Sequence, residues 1–118
     1  MKRILVVDDD PNLQEALTDL LESKGYQVTS ADNGVSALQL LRQSDAPCLI
    51  LLDLMMPVMD GHEFLAQVSA DDVLAKIPVV VVTAGRHPQG SVLPGAADVL
   101  YKPFEPERLM KVVQQFCA

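Results

Sequence analysis

Five short strand-like runs, separated by stretches long enough to hold a crossover helix, constrain this chain more than any other feature. Ile4–Val7, Leu49–Leu52 and Val79–Val82 are unbroken Ile/Leu/Val segments. Such runs suit a parallel sheet covered on both faces, where both sides of a strand meet side chains rather than water. Gln27–Ala31 alternates instead and suits an edge, and Val99–Tyr101 is the fifth candidate.

The intervening stretches carry helical periodicity. From Pro11 to Lys24, the residues Leu13, Ala16, Leu17, Leu20 and Leu21 form one apolar stripe. Asp10 is placed to cap that helix, Pro11 to occupy its first turn and Gly25 to end it. Asn33 is placed to cap a second helix carrying Val35, Ala37, Leu38 and Leu41. A third begins near Gly61, with Phe64, Leu65 and Val68 inward, and the last spans Pro106 to Phe116 around Leu109, Met110, Val112 and Val113. The fourth connection differs. Gly85–Gly95 contains Pro88, Gly90 and Pro94, with Val92 and Leu93 as its only aliphatic residues, so a helix there must be short or broken. The alternation predicts one doubly wound α/β domain over residues 1–118.

Composition narrows the function. The formal net charge of −7 argues against broad electrostatic binding to nucleic acid or an anionic membrane. No stretch approaches the roughly 20 apolar residues of a membrane span. Ile4–Val7 is too short for a secretory leader and runs directly into three aspartates. Cys48 and Cys117 match no metal-ligand spacing, and the expectation is reduced thiols in a cytoplasmic protein.

In an open parallel sheet, sites form beyond the carboxyl ends of the strands. Asp8, Asp9 and Asp10 follow the first run, Asp53 ends the third, Thr83 closes the fourth, and Lys102 follows the fifth with Pro103 behind it. Each has an ordinary explanation on its own. Aspartates cap helices, as Asp10 is expected to do; Met55, Met56 and Met59 pack around a loop; His62 and His87 are solvated. The ordinary explanations must hold independently, whereas one site at the rim accounts for four positions together. Two like charges about 4–5 Å apart repel by roughly 4 kcal/mol at an effective dielectric near 20. Asp8, Asp9 and Asp53 therefore need a cation or a raised pKa to sit together. An oxygen-only, solvent-open acidic pocket suits Mg²⁺, and one Mg²⁺ with Lys102 balances the three carboxylates.

The strings ILVVDDDP, LLDLMMPVMDG, VVVVTAG and YKPF, in that order from Lys2 to Phe116, resemble the response-regulator receiver domain of two-component signal transduction, of the chemotaxis-receiver type. The resemblance implies a flavodoxin-like five-stranded sheet in the order 2-1-3-4-5, with a shortened or irregular fourth helix here. It implies that Asp53 accepts a phosphoryl group from the phosphohistidine of a sensor histidine kinase or phosphotransfer protein. It assigns Asp8, Asp9, Asp53 and the backbone carbonyl of Met55 to Mg²⁺, with Mn²⁺ as a substitute. Thr83, Ala84 and Lys102 match phosphate-binding positions, Thr83 and Tyr101 a switch pair, and Lys102–Pro103 a cis peptide. The implied protein is a phosphoacceptor that assists its own phosphorylation and dephosphorylation rather than a turnover enzyme. It would pass the signal to a downstream protein without touching nucleic acid or membrane itself.

The span from Thr83 to Lys102 departs from the family in being short and Pro-rich, which leaves an altered partner surface and a mobile loop equally open. The chain ends just after its last helix, which fits both a stand-alone receiver and a piece of a longer protein. Met55 and Gly85 stand where the family tunes phosphate lifetime, and neither can orient an attacking water, so slow loss is expected. Two rival classes are a receiver-fold interaction module that is not phosphorylated and an aspartate-nucleophile phosphatase of the haloacid dehalogenase type. The phosphatase needs a D-x-D pair after the first strand, which Asp8 and Asp10 supply only within a run.

Overall fold

The computed structural model describes residues 2–43, 46–53, 61–83, 95–102 and 105–117. Its elements are β1 (Arg3–Val7), α1 (Pro11–Ser23), β2 (Gln27–Ala31), α2 (Gly34–Gln43), β3 (Leu49–Asp53), α3 (Gly61–Ala70), a 3₁₀ turn (Leu74–Lys76), β4 (Val79–Thr83), β5 (Asp98–Tyr101) and α4 (Pro106–Cys117). Every strand pair is parallel, and the order is β2-β1-β3-β4-β5, the flavodoxin-like arrangement expected from the sequence.

The unbroken runs explain the layering. Every residue of β3 and β4 is buried, and β2 lies at an edge. Successive strand side chains point to opposite faces. Leu5, Val7, Ile50, Leu52, Val79 and Val81 pack against Ala37, Leu38, Leu41, Phe64, Leu65 and Val68 of α2 and α3. Ile4, Val6, Leu49, Leu51, Val80 and Val82 pack on the other face against Leu17 and Leu21 of α1 and Leu109, Val112 and Val113 of α4. Burying a side chain of this size is worth about 1.5–3 kcal/mol, so loss of either face would unfold the domain.

Caps set where the helices begin and end. The Asp10 carboxylate accepts from the Asn12 and Leu13 N–H groups, and Pro11 needs no partner in the first turn. Gly25 turns the chain with φ +94°, a region that costs other residues about 1–2 kcal/mol. Asn33 Oδ1 accepts the Ser36 N–H at 2.9 Å and starts α2.

Three features differ from expectation or extend it. Val35 is exposed and is not part of the buried stripe of α2, because its place in the first turn points it away from the sheet. The 3₁₀ turn was not foreseen; Asp71 accepts from the Val73 and Leu74 N–H groups, and Leu74 and Ile77 close the core beneath α3. Cys48 and Cys117 are joined in a disulfide in this structure and are not the two reduced thiols expected from the sequence. In a doubly wound sheet each helix returns antiparallel to the strands, so the end of α4 reaches the foot of β3, and the Cα atoms stand 5.5 Å apart. The fourth connection and its expected short helix lie outside the described residues, apart from Gly95. No described helix is long and apolar enough to cross a membrane.

Candidate functional site

Parallel pairing aligns the strand ends, which is what gathers the site. Val7 stands opposite Leu52, Asp53 opposite Val82, and Thr83 opposite Tyr101. Asp8 extends β1 by one residue, its N–H donating to the Ala31 carbonyl at 3.0 Å. The Gln14 side-chain amide lies within hydrogen-bond reach of the carbonyls of Asp8 and Ala31 and of Asp32 Oδ1. One side chain from the first turn of α1 thereby ties down the ends of β1 and β2 behind the rim. Gln14 was not among the expected site residues. Its only sequence signal is a polar residue one helical turn beyond the Asp10 cap.

Asp8 and Asp53 are buried, at 3% and 7% exposure, whereas Asp9 is exposed. One carboxylate oxygen from each of the three lies within 4.8 Å of the others. At that distance two like charges repel by roughly 3 kcal/mol at an effective dielectric of 20. Asp8 Oδ1 accepts the Asp10 N–H at 2.9 Å, and Asp8 Oδ2 faces Lys102 Nζ at 3.6 Å. Even so, the Asp8 carboxyl is held above its ordinary pKa. Burial is the main cause, the charges of Asp53 and Asp9 add to it, and the Asp10 N–H and Lys102 pull the other way.

Lys102 is carried to the rim by the β4–β5 ladder, its N–H donating to the Thr83 carbonyl at 2.7 Å. Thr83 is buried, and Tyr101, directly across from it, is half-buried. Asp8, Asp9, Asp53, Thr83, Tyr101 and Lys102 thus share one rim, while Asp10 serves as a cap and His62 is exposed on α3. Met55, Ala84 and Pro103, with Met56, Met59 and His87, lie outside the described residues, so the carbonyl ligand, one phosphate-binding position and the cis peptide fall there as well.

The donor set fits Mg²⁺. All three groups are carboxylates, and opposite ligands of one Mg²⁺ lie about 4.2 Å apart, slightly inside the present spread. Asp9, being exposed, has the rotamer freedom to close that gap, and water can complete the shell.

Residues 4–114 match the family described as the response regulator receiver domain. The chain belongs to this family. Its relatives include Protein PilH of Pseudomonas aeruginosa, 37% identical over 121 residues that cover all of this chain and 99% of PilH. The DNA-binding response regulator MtrA of Mycolicibacterium smegmatis is 40% identical, covering 96% of this chain but 49% of MtrA. The receiver thus spans a whole relative in one case and about half of one in the other. Among solved structures, the response regulator protein TrrA of Thermotoga maritima, in complex with Mg²⁺-BeF, superposes with a TM-score of 0.87 at 31% identity. It covers 98% of this chain and 99% of TrrA.

Proposed function

We propose that this receiver accepts a phosphoryl group on Asp53 from a phosphohistidine of a sensor histidine kinase or phosphotransfer protein. The observation that carries the reading is the convergence of Asp8, Asp9 and Asp53 within 4.8 Å at one rim, with Lys102 on Asp8. A structural ion pair alone would not call for three carboxylates facing one lysine.

Asp8 and Asp9 would hold Mg²⁺ with Asp53 and the Met55 carbonyl, and Mn²⁺ would substitute. The ion supplies neutralisation of the charge on the transferring phosphoryl oxygens. The Asp53 carboxylate attacks phosphorus, the P–N bond to the donor imidazole breaks, and an acyl phosphate forms on Asp53. Burial of Asp53 in the last position of β3 fixes the attacking oxygen, since the strand is packed on both faces. Lys102 exchanges its contact with Asp8 for one with the new phosphoryl oxygens, and Thr83 and the backbone at Ala84 donate to the same group. Drawing Thr83 towards the phosphoryl group vacates space opposite Tyr101, and the β4–β5 edge changes population in step. A downstream protein reads that face, without direct contact between the receiver and nucleic acid. The receiver is a phosphoacceptor and not a turnover enzyme, acting in the cytoplasm.

Intact-mass measurement after incubation with acetyl phosphate and Mg²⁺ tests the reading. One phosphoryl group should be gained by the wild type and none by Asp53→Asn. Equal, null behaviour of both would leave a receiver-fold interaction module instead.

A further inference from the structure

The end of the sheet opposite the rim carries a second pair of reactive groups. Cys48 precedes β3 and Cys117 ends α4; they are bonded to each other, and among the described residues no cysteine is free. Cys117 is buried at 3% exposure in the core face formed by α1 and α4, and Cys48 is half-buried against the same cluster. Two further contacts hold this corner. The Cys48 N–H donates to the Arg3 carbonyl at 2.8 Å, and Lys2 Nζ donates to the Cys117 carbonyl at 3.1 Å.

We infer that Cys48 and Cys117 are a reversible thiol–disulfide site that pins the last turn of α4 to the foot of β3, independently of phosphorylation. Both cysteines are already placed by ladder hydrogen bonding and core packing, so closing or opening the bond needs no backbone movement. The reduced state is also provided for. The Arg3 carbonyl oxygen lies 3.3 Å from Cys48 Sγ and can accept from its thiol, while Cys117 returns to an apolar cluster that suits a neutral thiol. In a reducing compartment the pair stands as the dithiol, and it closes when the thiol pool is oxidised.

The chemistry is exchange with a small-molecule disulfide. The Cys48 thiolate, the more exposed of the two, attacks the external disulfide to give a mixed disulfide and one free thiolate. Cys117 then attacks the Cys48 sulfur, forming the internal bond and expelling the second thiolate. Two protein thiols and one external disulfide yield one protein disulfide and two external thiols, so electrons and protons balance. The Lys2 ammonium, at the Cys117 carbonyl, adds positive charge beside a helix end whose dipole opposes a thiolate.

What the bond controls is the hold on α4. It closes a sequence separation of 69 residues, and breaking it should lower the thermal midpoint by about 16 °C. Asp53 stands five residues up β3 from Cys48, about 16 Å away at 3.3 Å per residue, so redox state and phosphorylation act at separate ends of one strand.

The test equilibrates the full chain with glutathione disulfide or with dithiothreitol, then alkylates under denaturing conditions and measures intact mass and thermal midpoint. After glutathione disulfide the monomer should take up no label. After dithiothreitol it should take up two labels and melt about 16 °C lower. Cys48→Ser and Cys117→Ser should each abolish the redox-dependent shift, and Cys117→Ser should carry glutathione on Cys48 where Cys48→Ser stays unmodified. Asp53→Asn should behave as wild type throughout, which keeps this result separate from the phosphoacceptor reading. Two free thiols after glutathione disulfide, a mixed disulfide that does not close, or a midpoint indifferent to reduction would each overturn the inference.

Discussion

The two ends of this sheet are built on opposite principles. At the carboxyl end, three carboxylates crowd within 4.8 Å of one another and one lysine offsets them in part. At the amino end, an apolar corner is tied by a covalent bond, ladder hydrogen bonds and the Lys2 contact to the last helical carbonyl. The same strand, β3, supplies Asp53 to one end and begins beside Cys48 at the other. The packed apolar strand between them lets the domain hold an electrostatically costly rim, because the cost is borne by a core buried on both faces. Function gathers where the fold is least at ease.

The largest contrast should come from Asp53→Asn, which is expected to lose phosphoryl acceptance completely while leaving the fold and the disulfide untouched. Intact mass and far-ultraviolet dichroism check both halves, and Cys117→Ser should show the reverse pattern. Next in size, Cys117→Ser under oxidising conditions should lose about 4 kcal/mol of stability for a closed loop of this length, read by urea unfolding. A loss below about 1 kcal/mol would mean that packing alone holds the corner.

At the rim, Mg²⁺ should stabilise the fold by about 1.4 kcal/mol when its concentration is ten times its Kd. Asp9→Ala should abolish most of that gain and raise the metal-free midpoint slightly, since an exposed charge repels weakly. A midpoint unmoved by millimolar Mg²⁺ at low salt would break the picture of a crowded rim.

The smallest effect carries the clearest sign. The Asp8 pKa is raised above its ordinary 3.8 in the fold. Between those two values the folded receiver keeps a proton that the unfolded chain has released. Relative to Asp8→Asn, wild-type stability is therefore intact below the ordinary value and falls as pH rises through the folded pKa. In chelator, Asp8→Asn should melt a few degrees higher than wild type at neutral pH, with the gap closing near pH 4. A constant gap across that range would show that neither burial nor the neighbouring carboxylates disfavour the Asp8 charge.

Much of this was legible from residue order. The unbroken runs marked β1, β3 and β4 to within a residue, because a strand buried on both faces admits polar residues only at its ends. Asp10, Pro11, Gly25 and Asn33 marked helix ends, because capping is local chemistry between near neighbours. Rim residues were legible because parallel strands present their ends together. Val35 failed for a local reason: helical spacing does not say how the first turn is rotated against the sheet. The disulfide failed for a global one. Cys48 and Cys117 are 69 residues apart, and only the return of α4 down the sheet brings them to 5.5 Å.

Sequence alone determined the layered parallel architecture and the acidic and basic residues that meet at one rim, because those follow from periodicity, capping and the common direction of the strands, while the family was legible in the motif strings that resemble it. Tertiary structure decided which neighbours those residues have. It set Lys102 against Asp8, raised Asp8 by burial, placed Gln14 behind the rim and joined the two cysteines. The physical reason is the same in each case: a distance of a few ångströms between residues far apart in the chain is set by packing, and packing is not written in any one segment.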